Sequence, residues 1–122
     1  MRVLVVDDSR AIRRIIGDIM RDLDFEVLEA ANGLEALAQL DERGRPDVVL
    51  VDWNMPEMNG LEFIKQVRAN PAYFDLPLMM VTTETEMERM ATAFMAGVNE
   101  YVMKPFDKQT ILEKLQLLGI GA

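Results

Sequence analysis

The sequence predicts a doubly wound α/β domain, a five-stranded parallel sheet with helices on both faces. Three observations carry this prediction. Short β-branched runs alternate along the whole chain with segments of 3.6-residue apolar period. The runs are continuous rather than alternating, as in strands buried on both sides. No linker, repeat or low-complexity stretch breaks the succession, and strictly alternating strand-helix units close into a parallel sheet with right-handed crossovers.

Val3-Leu4-Val5-Val6 is the first strand. Ser9 is a good helix N-cap, and Ile12, Ile15, Ile16, Ile19 and Leu23 follow at helical spacing. A second strand fits Phe25 to Ala30, and Asn32-Gly33 turns into a helix with Leu34, Leu37 and Leu40 on one face, ending near Gly44. Pro46 introduces the plainest strand, Val48-Val49-Leu50-Val51. The loop from Asp52 to Asn59 leads through Gly60 into a helix marked by Leu61, Ile64 and Val67. Asn70-Pro71 stops it, because the residue before proline avoids the α region. Leu78-Met79-Met80-Val81 is the fourth strand. Met87, Met90, Ala91, Phe94, Met95 and Val98 keep a helical period about Gly97, a natural C-cap. Tyr101-Val102-Met103 is the fifth strand, and Ile111, Leu112, Leu115 and Leu118 mark the closing helix.

A chain of 122 residues suits one domain, taken here as residues 1–122 with no output domain attached. Histidine and cysteine are absent, which excludes thiol nucleophiles, disulfides, Cys or His zinc sites and any phosphohistidine on this chain. With 13 basic against 21 acidic residues the net charge is −8, a poor basis for nucleic-acid binding. No apolar run approaches the roughly 18 residues of a membrane span, and the N-terminus is no signal peptide. The cytoplasm is the expected compartment.

In a doubly wound sheet the functional site lies beyond the carboxyl ends of the strands, at the switch point of strand order. Those ends carry Asp7-Asp8, Asp52, Thr82-Thr83 and Lys104-Pro105. Neither G-x-G-x-x-G nor G-x-x-x-x-G-K-[ST] occurs, so the phosphate cradle of nucleotide binders is missing. Converging carboxylates repel one another unless a cation compensates. Oxygen-only ligands favour Mg²⁺, with Mn²⁺ as the other candidate. A carboxylate nucleophile, a metal and a lysine together can carry a phosphoryl transfer. Singly, an Asp after a strand is most often a cap or turn residue, and Lys-Pro an ordinary turn. The fold brings all four ends together, and that convergence favours the chemical reading.

At these residues the chain resembles the receiver domains of two-component response regulators. The stretches are Val5 to Ser9, Val51 to Gly60, Val81-Thr82-Thr83 and Tyr101 to Phe106, in the family's order and spacing. The Asp52 to Pro56 loop is most similar to the single-domain chemotaxis type. The resemblance implies a flavodoxin-like fold and an aspartyl phosphate on Asp52. It implies Mg²⁺ held by Asp8, Asp52 and the Asn54 carbonyl, with Asp7 acting largely through water. Lys104 would pair with a phosphoryl oxygen, the Lys104–Pro105 bond beside the site would be cis, Thr82 would swing toward the phosphate, and Tyr101 would follow it inward. By itself Tyr101 reads as an ordinary edge-strand aromatic.

Asn54 and Glu84 stand where polar side chains would position a hydrolytic water, so a short-lived phosphoryl state is expected. Thr83 is larger than the residue often found at its place, and is expected to crowd the phosphoryl approach. The donor implied is a sensor histidine kinase or a small acyl phosphate. The output implied is a protein contact over the fourth helix, fifth strand and fifth helix, with Met87, Met90, Tyr101, Met103 and Lys114 on that face; exposed methionines suit partner binding. Met87 and Met90 read equally well as a continued core stripe. A flagellar motor switch is one expected target, and the protein would be a monomer or a phosphorylation-dependent dimer. Two other readings stand beside this one. One is a phosphate sink or adaptor in another pathway. The other is an aspartate-nucleophile phosphatase, although that family places its nucleophile after the first strand in a D-x-D pattern, which Asp7-Asp8 does not form.

Overall fold

A computed structural model describes residues 1–83 and 87–120. The strands are β1 (Arg2–Val6), β2 (Glu26–Ala30), β3 (Val48–Val51), β4 (Leu78–Thr82) and β5 (Glu100–Met103). The helices are α1 (Arg10–Asp22), α2 (Gly33–Arg43), α3 (Gly60–Ala69), α4 (Met87–Ala96) and α5 (Lys108–Leu117). All strands pair in parallel in the order β2-β1-β3-β4-β5. The order reverses between β1 and β3, which puts the switch point at the ends carrying Asp7, Asp8 and Asp52. This is the flavodoxin-like α/β fold.

Successive strand residues point to opposite faces, and two cores result. Leu4, Val6, Val49, Val51, Leu78 and Met80 pack with Ala36 and Leu40 of α2, Phe63, Ile64 and Val67 of α3, and Ala93 of α4. Val3, Val5, Val48, Leu50, Met79, Val81 and Val102 pack with Ile16 and Met20 of α1 and with Ile111 and Leu115 of α5. The continuous apolar runs thus fill both layers. Side-chain caps start the helices that leave the functional end. Ser9, Asn32 and Asp107 each accept the amide three residues on, and Asn59 forms a full capping box with Glu62.

Three stripes face other than the sequence spacing suggests. In α1 the buried residues are Ile16, Gly17 and Met20, while Ile15 is exposed. In α2 they are Gly33, Ala36 and Leu40, and Leu34 turns outward. In α4 only Ala93 is fully buried and Met90 is half-buried, while Met87, Ala91, Phe94 and Met95 lie exposed. The physical reason is common to all three. Helical period marks an apolar stripe, but the packing surface decides which side turns inward, and that side takes in the small residues Gly17, Gly33, Ala36 and Ala93 while Ala91 stays outside. Phe25 precedes β2 rather than starting it, yet remains buried. A short 3-10 turn over Pro71–Tyr73 follows α3, capped by the Asn70 side chain through the Ala72 amide.

Candidate functional site

The end of β1 delivers Asp7 and Asp8, the end of β3 delivers Asp52, β4 closes on Thr82, and Lys104 follows β5. Backbone pairing sets their depth: Asp52 N–H donates to the Val6 carbonyl at 2.9 Å, and Lys104 N–H to the Thr82 carbonyl at 2.9 Å. Asp7, Asp52 and Thr82 are all buried, whereas Asp8 is exposed at the rim.

Lys104 Nζ ties the two buried carboxylates together, 3.0 Å from Asp7 Oδ2 and 3.5 Å from Asp52 Oδ2. The peptide bond from Lys104 to Pro105 is cis. The other oxygen of each aspartate is also engaged. Asp7 Oδ1 accepts from Ser9 N–H at 2.9 Å, and Asp52 Oδ1 accepts from Trp53 N–H at 2.8 Å. Thr82 donates a side-chain hydrogen bond to Asp52. Burial pushes the Asp52 carboxyl above the usual range; Thr82 and then Lys104 pull it back, and Asp7 adds to the rise.

One carboxylate oxygen from each of Asp7, Asp8 and Asp52 falls within a 4.8 Å cluster. Ligands on opposite sides of a six-coordinate Mg²⁺ stand about 4.2 Å apart, given bonds of about 2.1 Å. An oxygen-only cluster of this span fits a hard divalent cation. Beside it lies a shallow cleft lined by Asp8, Asn54, Met55, Pro56 and Asn59, so Asn54 stands at the same rim.

Several residues that position the site were given no role by the sequence. Gly60 N–H donates to the Trp53 carbonyl at 2.9 Å, and its Cα lies so close to the Asp52 carbonyl that no Cβ fits. Arg13 of α1 donates to the Asp7 carbonyl at 2.6 Å and to Glu29 at 3.1 Å, pinning the end of β1. Glu57 adopts a left-handed φ of 64° in the loop after Asp52. Arg89 of α4 lies over the Trp53 ring, 5.3 Å from its centre. Gly60 alone left a trace in the sequence, as the glycine between the loop and the helix.

Residues 3–116 match the response regulator receiver domain family. The chain belongs to that family. This receiver is 47% identical to the chemotaxis protein CheY1 of Helicobacter pylori, over 97% of its own length and 96% of the relative's. It is 49% identical to the CheY homolog of Campylobacter jejuni, covering all of this chain and 95% of that one. Among solved structures, Vibrio cholerae CheY4 superimposes with a TM-score of 0.89 at 41% identity, covering 96% of this chain and 97% of that one. The receiver is thus of the CheY type, a signalling fold rather than a conventional enzyme. No helix among its described residues is long and apolar enough to cross a membrane.

The remaining residues singled out in the sequence lie as follows. Thr83 is exposed beside Lys104. Glu84 lies outside the described residues. Tyr101 is buried with its ring tilted against Phe94, centres 6.4 Å apart, so it is covered rather than displayed on the α4–β5–α5 face. Met87 is 83% and Met103 45% exposed, while Met90 packs partly into the core. Lys114 pairs with Glu100 at 3.1 Å on the same face.

Proposed function

We propose that this protein is a response regulator that takes a phosphoryl group from a histidine kinase onto Asp52 and thereby switches a protein-binding face. The observation that carries this reading is the Lys104 ammonium set between Asp7 and Asp52 at the switch point. Asp52 Oδ2, on the Lys104 side, is the attacking oxygen in this reading, while Oδ1 accepts from the Trp53 amide. It attacks phosphorus as the P–N bond of the donor's phosphohistidine breaks, and the electron pair leaves on the imidazole nitrogen. Lys104 then holds a phosphoryl oxygen. Asp8, Asp52 and the Asn54 carbonyl would hold Mg²⁺, with Asp7 through water. When bound, the ion neutralises charge developing on the phosphoryl oxygens.

Thr82 already reaches Asp52. After transfer its hydroxyl donates to a phosphoryl oxygen instead, and the Tyr101 ring, already buried, keeps the inward position that such a shift favours. Asn54 and Glu84 then position the water that ends the signal, and Thr83 limits access. The readout face comprises Met87, Met90 and Met103 with Lys114. The names of the relatives support chemotaxis as the pathway, with the flagellar motor switch as target and the cytoplasm as the place of work.

The test follows Trp53 emission during a Mg²⁺ titration, then on addition of beryllofluoride or acetyl phosphate, with Asp52→Asn as control. A saturable, Mg²⁺-dependent response absent from the variant supports the reading. An equal response in the variant overturns it.

A further inference from the structure

We infer that Phe94 of α4 is a positioning residue for the switch. Its ring holds Tyr101 inward before any phosphoryl group arrives, and this raises the affinity of the Asp52 site for a phosphoryl mimic. The inference rests on Asp52 as phosphoacceptor, with Thr82 and Tyr101 as its readout. The juxtaposition behind it is a ring pair over an edge strand. Tyr101 is 5% exposed, and the Phe94 ring lies against it with centres 6.4 Å apart and planes tilted by 35°.

β5 is the last strand of the sheet and pairs with β4 alone. One flank of Tyr101 therefore has no strand beside it, and α4 supplies the cover. The inward side of α4 is small: Ala93 is its one fully buried residue, and Ala96 packs partly into the same core as Tyr101. An alanine methyl restrains a ring poorly. Phe94 is 44% exposed, with one part of its ring in water and another on Tyr101. A ring pair at this separation adds to the plain burial of its area.

The sheet couples this pair to the phosphoacceptor. Tyr101 stands opposite Met80, and Met103 opposite Thr82. Residues two apart on a strand share a face, so Thr82 and Tyr101 project from one face as diagonal neighbours. Thr82 in turn donates to Asp52. Asp52, Thr82, Tyr101 and Phe94 thus run in sequence from the crevice to the outer surface of α4. A phosphoryl group and the Phe94 ring both favour the inward Tyr101, and such coupling is reciprocal. At rest, Phe94 already does part of what the phosphoryl group does on arrival.

The experiment titrates beryllofluoride at saturating Mg²⁺ and follows Trp53 emission in wild type and Phe94→Ala. The midpoint is expected to rise about fivefold in Phe94→Ala, the scale of one aromatic pair. The Mg²⁺ midpoint without beryllofluoride should stay unchanged, which reports an intact acidic site. Phe94→Tyr keeps the ring and should keep the wild-type midpoint. In a Tyr101→Leu background Phe94→Ala should move the midpoint by less than about twofold, since the ring it positions is gone. A second readout follows the ring NMR signals of the two tyrosines with a soluble paramagnetic agent. Tyr101 should be protected in resting wild type, broadened in resting Phe94→Ala, and protected again in that variant with beryllofluoride. A ring merely uncovered would stay broadened. That result, an unchanged midpoint in Phe94→Ala, or an equal rise in the Tyr101→Leu background overturns the positioning role while Asp52 remains the phosphoacceptor. If Asp52→Asn answers beryllofluoride as wild type does, the phosphoacceptor reading and this inference fall together.

Discussion

Gly60 Cα faces the backbone carbonyl of Asp52 with no space for a side chain between them. The first residue of α3 therefore sets the height of the proposed phosphoacceptor. The obstacle is backbone, which cannot rotate aside as a side-chain tip can. Gly60→Ala would ordinarily help a helix by about 0.5–1 kcal/mol, but here the methyl must push α3 and β3 apart. Overpacking of this kind costs about 1–3 kcal/mol. A lower urea midpoint with slower acetyl phosphate labelling is the expected pair of results. A variant as stable and as fast as wild type would show that the loop yields freely.

Lys104 pairs with Asp7 and Asp52 at once, with 15% of its own side chain exposed. Lys104→Met leaves those two carboxylates facing each other without a counter-charge. Breaking a buried pair from one side costs up to about 3–5 kcal/mol, and partial exposure puts Lys104 toward the low end. A divalent cation bound to the same carboxylates would replace the missing charge. Thermal melts of Lys104→Met should accordingly show a larger gain from Mg²⁺ than wild type shows. Equal gains would mean that the lysine and the metal do not share a site.

Asp52 has its carboxyl raised above the ordinary value of 3.8, chiefly by burial. The native state then holds a proton at pH values where the unfolded chain has lost it. Stability from this group is present below about pH 3.8 and is lost as pH rises through the higher native value. Asp52→Asn cannot lose it. In chelator, the variant should be more stable than wild type at pH 7, and the difference should shrink toward pH 3.8. Urea titrations at several pH values measure this directly. A variant less stable than wild type at pH 7 would show that the Lys104 and Thr82 contacts outweigh burial.

The strands and the carboxyl-end residues were legible because both are local. Val48 to Val51 is apolar without interruption, and Asp52 follows it directly. Parallel alternation then brings Asp7, Asp8, Thr82 and Lys104 to the same edge by topology alone. What escaped depends on distances between elements. Ile15, Leu34 and Phe94 carry the same helical period as the buried residues beside them, and only the neighbouring surface decides which side turns inward. The roles of Arg13 and Gly60 are set by carbonyls that lie far off in sequence or across a loop. Arg89 has no sequence mark of its function at all, since an arginine on a helix is usually solvated.

Arg89 meets Trp53 at 5.3 Å, and this contact joins the start of α4 to the residue after Asp52. At its other end α4 is held by Arg68 of α3, which donates to the Gly97 carbonyl at 2.9 Å and to Asn99 Oδ1 at 2.9 Å. The Arg68 contacts are hydrogen bonds from a half-buried guanidinium. The Arg89 contact is a cation over an indole face, worth about 0.5–1 kcal/mol at an exposed site. Through this contact the start of α4 adjoins the phosphoacceptor loop. Arg89→Gln should change Trp53 emission in the resting protein and destabilise it by about 0.5–1 kcal/mol, whereas Arg89→Lys should keep most of both. In a Trp53→Leu background the Arg89→Gln loss should largely vanish, since residues in contact are non-additive. Full additivity of the two substitutions would show that Arg89 stabilises α4 through some neighbour other than Trp53.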